Sequence, residues 1–179
     1  KNREGQLWVS AFDMESFMVE IRDNGVDKYP LAPLRDRIKA NPVVTSLCKD
    51  SKGMFWFTQE RYGVCIYDAV TDKLRHYTDC PKTEMLPLGN VTNLTASKME
   101  GSVWGVLYLF SSSIVRLYQD NMKISQEIRI NLNEVVRQPG HVVSMLEDKK
   151  QDLWIGTNRG LFVYRTGTRK LEVIDSELG

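Results

Sequence analysis

The sequence predicts an all-β fold of β-propeller blades, four repeats that are each a four-stranded antiparallel sheet. Three observations carry this expectation. The only four tryptophans, Trp8, Trp56, Trp104 and Trp154, are spaced by 48, 48 and 50 residues, and a fixed period of that size marks a repeat architecture. Around each Trp the neighbours are apolar: Leu7 and Val9, Phe55 and Phe57, Val103, then Leu153 and Ile155, with Gly105 the one break. Runs this short between turn residues read as strands covered on both faces. Gly5, Gly53 and Gly101 stand three residues before Trp8, Trp56 and Trp104, and Gln151 takes that place in the last unit. A glycine there supplies the left-handed residue of a hairpin turn leading into the Trp strand.

The elements follow in order. Unit one opens on the strand around Trp8, continues with Phe17–Ile21, and turns at Asp23-Asn-Gly25. Tyr29 to Pro42 carries Pro30, Pro33 and Pro42. Proline donates no backbone hydrogen bond and interrupts ladders, so this stretch is expected to be a connector. Unit two reads as Val44–Leu47, a turn at Asp50–Gly53, then Phe55–Thr58, Gly63–Tyr67 and Lys73–Tyr77. Asp50 is placed to cap backbone amides two residues on. Unit three repeats this as Val91–Leu94, Val103–Leu107, Ser113–Tyr118 and Lys123–Ile130, with a connector from Asn131 to Gly140. Unit four runs Val142–Leu146, a turn from Asp148, Leu153–Thr157, Gly160–Tyr164 and Lys170–Ile174. The expected division is a partial blade and connector at 1–41 and blades at 42–89, 90–140 and 141–179, all in one propeller unit. Unit one lacks the strand that precedes the Trp strand elsewhere, so an incomplete piece of a larger propeller is expected, the alternative being an open or multi-chain ring. A sheet repeated in this way cannot bury both faces alone, so neighbouring blades must cover it.

The 179 residues carry 24 basic and 23 acidic side chains, a formal charge of +1. No field of one sign develops, which argues against nucleic acid or direct membrane contact as partners. No apolar run approaches the roughly 18–20 residues of a membrane span. Cys48, Cys65 and Cys80 are odd in number and show no pairing pattern, so they are expected to be reduced, with Cys48 and Cys65 in strand interiors.

Val142-Val-Ser-Met-Leu-Glu-Asp148 and Asp152-Leu-Trp-Ile-Gly-Thr-Asn-Arg-Gly-Leu-Phe-Val-Tyr164 resemble the two-component regulator propeller repeat. Asn41–Leu47, Asp50–Gly53 and Trp56–Tyr67 resemble it again. Unit three departs most, with Lys98 at the aspartate's place and Gly105 after the Trp. The resemblance implies the sensory, periplasmic part of an inner-membrane hybrid two-component protein of Bacteroides type, responding to glycan-derived oligosaccharides. It implies a histidine kinase outside this chain. The partners expected are an oligosaccharide or other small ligand, the remaining blades of the parent chain, and, as an option, a second copy in a homodimer.

No catalytic constellation is found. His76 and Cys80 are four apart and His141 stands alone, whereas a zinc site gathers four close ligands. Asp50, Asp148 and Asp152 are explained by turn chemistry. No cofactor or metal is expected. The inner strands offer hydrogen-bonding Thr45, Ser46, Thr92, Asn93 and Ser144 rather than acids or bases. Loops on a rigid scaffold carry recognition, so the loops after the Trp strands and the connectors supply the candidates: Arg61, Tyr62, Tyr108, His141, Asn158 and Arg159. An aromatic ring beside a polar group suits a sugar, stacking on its apolar face while the polar group fixes hydroxyls. The function expected is a non-catalytic sensor fragment. The alternatives are a propeller lyase or hydrolase, which would need acid, base or metal residues at the axis, and a plain interaction scaffold.

Overall fold

The computed structural model describes residues 7–10, 17–22, 25–30, 44–59, 63–71, 73–76, 91–107, 113–120 and 123–174. Fifteen strands occur among them. Sheet one holds β1 (Leu7–Ser10), β2 (Phe17–Arg22) and β3 (Gly25–Pro30) in that order. Sheet two holds β4 (Val44–Lys49), β5 (Phe55–Gln59), β6 (Gly63–Asp68) and β7 (Lys73–His76). Sheet three holds β8 (Val91–Ala96), β9 (Ser102–Leu107), β10 (Ser113–Asp120) and β11 (Lys123–Asn131). Sheet four holds β12 (Val142–Glu147), β13 (Leu153–Thr157), β14 (Gly160–Arg165) and β15 (Lys170–Val173). Every pairing is antiparallel between consecutive strands. The expected connector starts later than Tyr29, because β3 runs to Pro30; at the end of a strand proline's missing donor costs no ladder bond. A 3₁₀ turn at Leu132–Glu134 opens the second connector, capped by the Asn131 side chain.

The sheets stand side by side in an arc, with β1 against β4, β4 against β8 and β8 against β12. Among the described side chains, apolar groups on the facing surfaces form two seams. Between sheets two and three, Trp56, Val64 and Ile66 pack on Val91, Leu94, Val103, Leu107, Val115 and Leu117. Between sheets three and four, Trp104, Val106 and Ile114 pack on Val142, Leu153, Ile155, Phe162 and Tyr164. Trp56 and Trp104 are each 0% exposed, wedged in successive seams. Trp154, on the far face of sheet four, is half-buried. Polar bonds reinforce the seams: the Leu94 amide donates to Ser46 Oγ at 2.8 Å, and Asn93 Nδ2 donates to the Val142 carbonyl at 3.1 Å.

In the hairpin turns into the Trp strands of sheets two to four, the residue three before the Trp is left-handed whatever its type. Gly53 and Gly101 have φ of +84° and +64°, and Gln151 matches them at +68°. A side chain in this region costs roughly 1–2 kcal/mol that glycine avoids, against roughly 0.5–1 kcal/mol of extra chain entropy for glycine. Gln151→Gly is therefore expected to leave stability unchanged or raise it by up to about 1 kcal/mol, whereas Gly53→Ala should lower it by about 1–2 kcal/mol. Urea unfolding midpoints of the two variants check this. A loss on Gln151→Gly as large as that on Gly53→Ala would contradict it.

Candidate functional site

Two constellations occur at opposite ends of sheet four, because they lie at opposite ends of the β12–β13 hairpin. The first joins the connector to the β13–β14 turn. The His141 amide donates to Asn158 Oδ1 at 2.8 Å, and the Asn158 amide donates back to the His141 carbonyl at 3.1 Å. A Cβ on Gly140 would sit 2.2 Å from Asn158 Oδ1, so only glycine allows this approach. The Arg159 amide donates to Thr157 Oγ1 at 3.1 Å, and Arg159 Nη1 donates to Gln138 Oε1 at 2.6 Å. His141, Asn158 and Arg159 are all exposed. Three of the sequence candidates are thus brought to one rim. Of these, Asn158 is committed to holding the connector and His141 leaves its imidazole on the surface. Arg61, Tyr62 and Tyr108 lie outside the described residues, as do Gly5 and Cys80.

The second constellation is the turn into the Trp strand. Asp50 Oδ1 accepts from the Lys52 amide at 2.8 Å and the Met54 amide at 3.0 Å, and Oδ2 accepts from Trp56 Nε1 at 2.8 Å. Asp148 repeats this with Lys150 at 2.7 Å, Asp152 at 3.1 Å and Trp154 Nε1 at 3.0 Å. Each aspartate ties the turn to the indole six residues on. Unit three differs from the sequence expectation: Ser97, not Lys98, takes the aspartate's place. The turn holds one more residue there, so the Ser97 amide bonds to the Ser102 carbonyl where the Asp50 amide bonds to that of Met54. Ser97 Oγ accepts from the Met99 amide at 3.2 Å, which keeps the turn. A hydroxyl on one carbon is too short to reach the indole as well. The acceptor comes from the next sheet instead: Trp104 Nε1 donates to Glu147 Oε2 at 2.7 Å, and the Lys98 amide donates to Glu147 Oε1 at 3.2 Å. Lys98 Nζ bonds the Asp148 carbonyl. Glu147 is buried. Sequence reasoning missed its role. The signal was present as an acid directly before Asp148 and its absence from the third unit.

Asp152 is not a turn cap. Its Oδ2 accepts from Arg165 Nη1 at 2.9 Å and its Oδ1 from the Thr166 amide at 3.2 Å. Arg165 also bonds Glu172 at 3.0 Å and lies 5.9 Å from the Trp154 ring centroid. The two carboxylates hold the Arg165 pKa up, Asp152 first.

Hydrogen bonds favour the ionised form of Asp148. The Trp154 indole, then the Lys150 and Asp152 amides and the nearby Lys98 ammonium, hold Asp148 below the usual carboxylate range, against an opposing effect of burial. Its folded pKa therefore lies below the unfolded value of about 3.9. The contribution to stability is complete above about pH 4 and is lost as pH falls through the folded pKa. Asp148→Asn should accordingly flatten the acid side of the stability curve, read as unfolding midpoints between about pH 5 and pH 2. Parallel curves for variant and parent would contradict it. Asp68 is lowered in the same sense, by the Thr71 hydroxyl first. Burial, then the Asp50 charge, pushes the Cys48 thiol up, so it stays protonated and inert.

Among the described residues no group of three or more His, Cys, Asp or Glu side chains could hold a metal ion. Among them, too, no helix is long and apolar enough to cross a membrane.

Comparison with known proteins bears on residues 137–159, which match the family model described as the two component regulator propeller. The matched span contains both constellations of sheet four. No curated protein matches the sequence. Among solved structures, the chain is similar to the extracellular domain of a protein assigned to the hybrid two component systems of B. thetaiotaomicron. There the identity is 17% and the TM-score 0.62, over 98% of this chain and 24% of that one. It is also similar to the Cps50 (Swd1) β-propeller domain of Myceliophteria thermophila, at 13% identity and a TM-score of 0.63 over 93% and 56% of the two chains. The periplasmic gluconolactonase PpgL of Pseudomonas aeruginosa matches at 12% identity and a TM-score of 0.55, over 95% and 53%. The chain thus spans about a quarter to just over half of the proteins it matches. Identities this low speak for the fold, and all three are compatible with blades of one kind. The chain carries a two component regulator propeller repeat at residues 137–159, set in an arc of β-propeller blades.

Proposed function

We propose that this chain is a non-catalytic part of the extracytoplasmic sensor region of a hybrid two-component protein, divided into blades at 1–41, 42–89, 90–140 and 141–179. The observation that carries the reading is the family match over 137–159, the span that builds the rim of His141, Asn158 and Arg159. Likeness to extracellular domains of B. thetaiotaomicron hybrid two component systems supports it. In this reading the rim, with Arg61, Tyr62 and Tyr108, binds a glycan-derived oligosaccharide. The remaining blades, a histidine kinase and an inner-membrane anchor belong to the parent protein, and a second copy is a further partner. Blades are stiff, so the signal would pass as a rigid-body movement between domains or protomers.

Calorimetric titration against a panel of oligosaccharides tests this. Binding of one sugar, weakened about tenfold or more by Arg159→Ala or His141→Ala, is expected, each step of ten being about 1.4 kcal/mol. Asn158→Ala should instead release the connector and lower stability by about 1 kcal/mol. An absence of heat for every sugar on the complete propeller would leave an interaction scaffold. The fold likeness to a gluconolactonase favours one second reading, a propeller hydrolase or lyase. Turnover of any member of the same panel would establish it.

A further inference from the structure

Charge on sheet four is sorted by end. From Arg137 to Ile174 the acids are Glu147, Asp148, Asp152 and Glu172. The first three lie at the turn into the Trp strand, bonded by amides, indoles and Arg165, and Glu172 bonds Arg165 as well. The opposite rim carries Arg137 and Arg159, both exposed. Among the described residues no carboxylate pairs with either, Glu134 of the same connector included. Arg165 is neutralised by two carboxylates, at 2.9 and 3.0 Å. Arg159 is held by neutral groups instead. Its Nη1 donates to Gln138 Oε1 at 2.6 Å and its amide to Thr157 Oγ1 at 3.1 Å. Its stem lies against Gly140, where an added Cβ would stand 3.1 Å from Arg159 Cγ. One guanidinium N–H is used in this way and four remain. An arginine so fixed has already lost the rotamer freedom that binding a ligand would otherwise cost.

We propose that the rim of sheet four binds an anionic group of the ligand, so that the sugar recognised is an oligosaccharide carrying carboxylate or sulfate. The proposal rests on the reading of this rim as the ligand site and adds the charge class of what it takes. The argument is one of donors and acceptors. A sugar hydroxyl both donates and accepts, so a site for neutral sugars offers acceptors as well as donors. Here the side-chain amide oxygens are engaged within the rim: Gln138 Oε1 accepts from Arg159, and Asn158 Oδ1 accepts from the His141 amide. What the rim leaves over is donors and positive charge, at Arg159 and Arg137. A carboxylate or sulfate is the complement, since it only accepts. A guanidinium meets such a group with two parallel N–H···O bonds, shorter and stronger than bonds to a hydroxyl.

The test titrates the chain, by calorimetry, with matched probes: galacturonic acid oligosaccharides, the same oligosaccharides as neutral methyl esters, sulfated galactan oligosaccharides, and unsulfated galactan. Acidic members are expected to bind, and their neutral counterparts to bind about tenfold or more weakly, the scale of one charged hydrogen bond. Which of the two acidic series binds tells carboxylate from sulfate. Raising the salt from about 0.1 M to about 1 M shortens the screening length from about 10 Å to about 3 Å and should weaken the acidic probe alone. Arg159→Gln and Arg137→Gln should each reduce its affinity, by about tenfold at Arg159. Arg159→Lys keeps the charge without the fork, and should recover only part of that loss. Lys150→Gln makes the same charge change at the opposite end and should leave affinity unchanged. Equal affinity for an acid and its neutral ester, or an Arg159→Gln chain that binds as the parent does, would overturn the proposal while leaving the sensor reading in place. A loss on Lys150→Gln equal to that on Arg159→Gln would overturn it too, because net charge rather than the rim would then be responsible. Silence from every acidic and neutral probe would overturn both.

Discussion

Trp104→Ala and Trp56→Ala should each lower the free energy of unfolding by about 3–5 kcal/mol, the range for truncating a fully buried tryptophan. Both indoles are 0% exposed and lie between two sheets. Truncation leaves a cavity lined on two sides by β-strands, which a hydrogen-bonded sheet cannot collapse to fill. It also takes one donor from a buried carboxylate, Glu147 for Trp104 and Asp50 for Trp56. Trp154→Ala should cost only about 1–2 kcal/mol, because its indole is half-buried and water can replace it beside Asp148. Urea unfolding of the three variants, followed by far-ultraviolet circular dichroism, measures this order. Equal losses at all three positions would mean that Trp154 is covered in solution. A loss below about 1 kcal/mol at Trp104 would mean that the seam is not packed as described.

The blades were legible because their signal is repeated. One indole per period, an apolar run around it and a turn residue three positions ahead are local features, and four copies of a local pattern reinforce one another. Asp50 and Asp148 as turn caps followed from their spacing to the amides they bind. Their second bond, to the indole, did not follow, since it depends on how far a side chain folds back over its own hairpin. The replacement of Asp by Ser97 was misplaced by one residue because an insertion in a turn leaves no mark on strand periodicity. Longer-range features were hidden for a different reason. Glu147 serves a tryptophan 43 residues earlier in the chain, and no periodicity links them. Asp152 reads as a turn residue yet pairs with Arg165 across the sheet. The rim candidates show the same limit. Sequence placed His141, Asn158 and Arg159 in loops, but that Asn158 binds the backbone of His141 depends on the connector's path.

Glu147→Ala is expected to weaken the seam between sheets three and four by about 2–4 kcal/mol, out of proportion to an exposed acid. The carboxylate is 6% exposed and accepts from two donors, the Trp104 indole at 2.7 Å and the Lys98 amide at 3.2 Å. Removing it leaves both without an acceptor, at about 1–3 kcal/mol for each buried group. The arrangement also gives the seam an order. Trp56 and Trp154 are satisfied within their own blades, so their indoles need no acceptor from a neighbour. Blade three is not self-sufficient: its indole requires a neighbour with an acid directly before the aspartate of its first turn. Double-mutant cycles separate this coupling from general packing. With Trp104→Phe, which keeps an aromatic ring and deletes the donor, Glu147→Ala should lose about 1–2 kcal/mol of its effect. Restoring a local acceptor through Ser97→Asp in the Glu147→Ala background should recover part of the loss, if the aspartate reaches the indole as Asp50 and Asp148 do. Additive effects of Trp104→Phe and Glu147→Ala would show that the two side chains do not share a bond. The seam between sheets three and four would then be held by apolar contact alone, and the ordering of blades would have to come from shape.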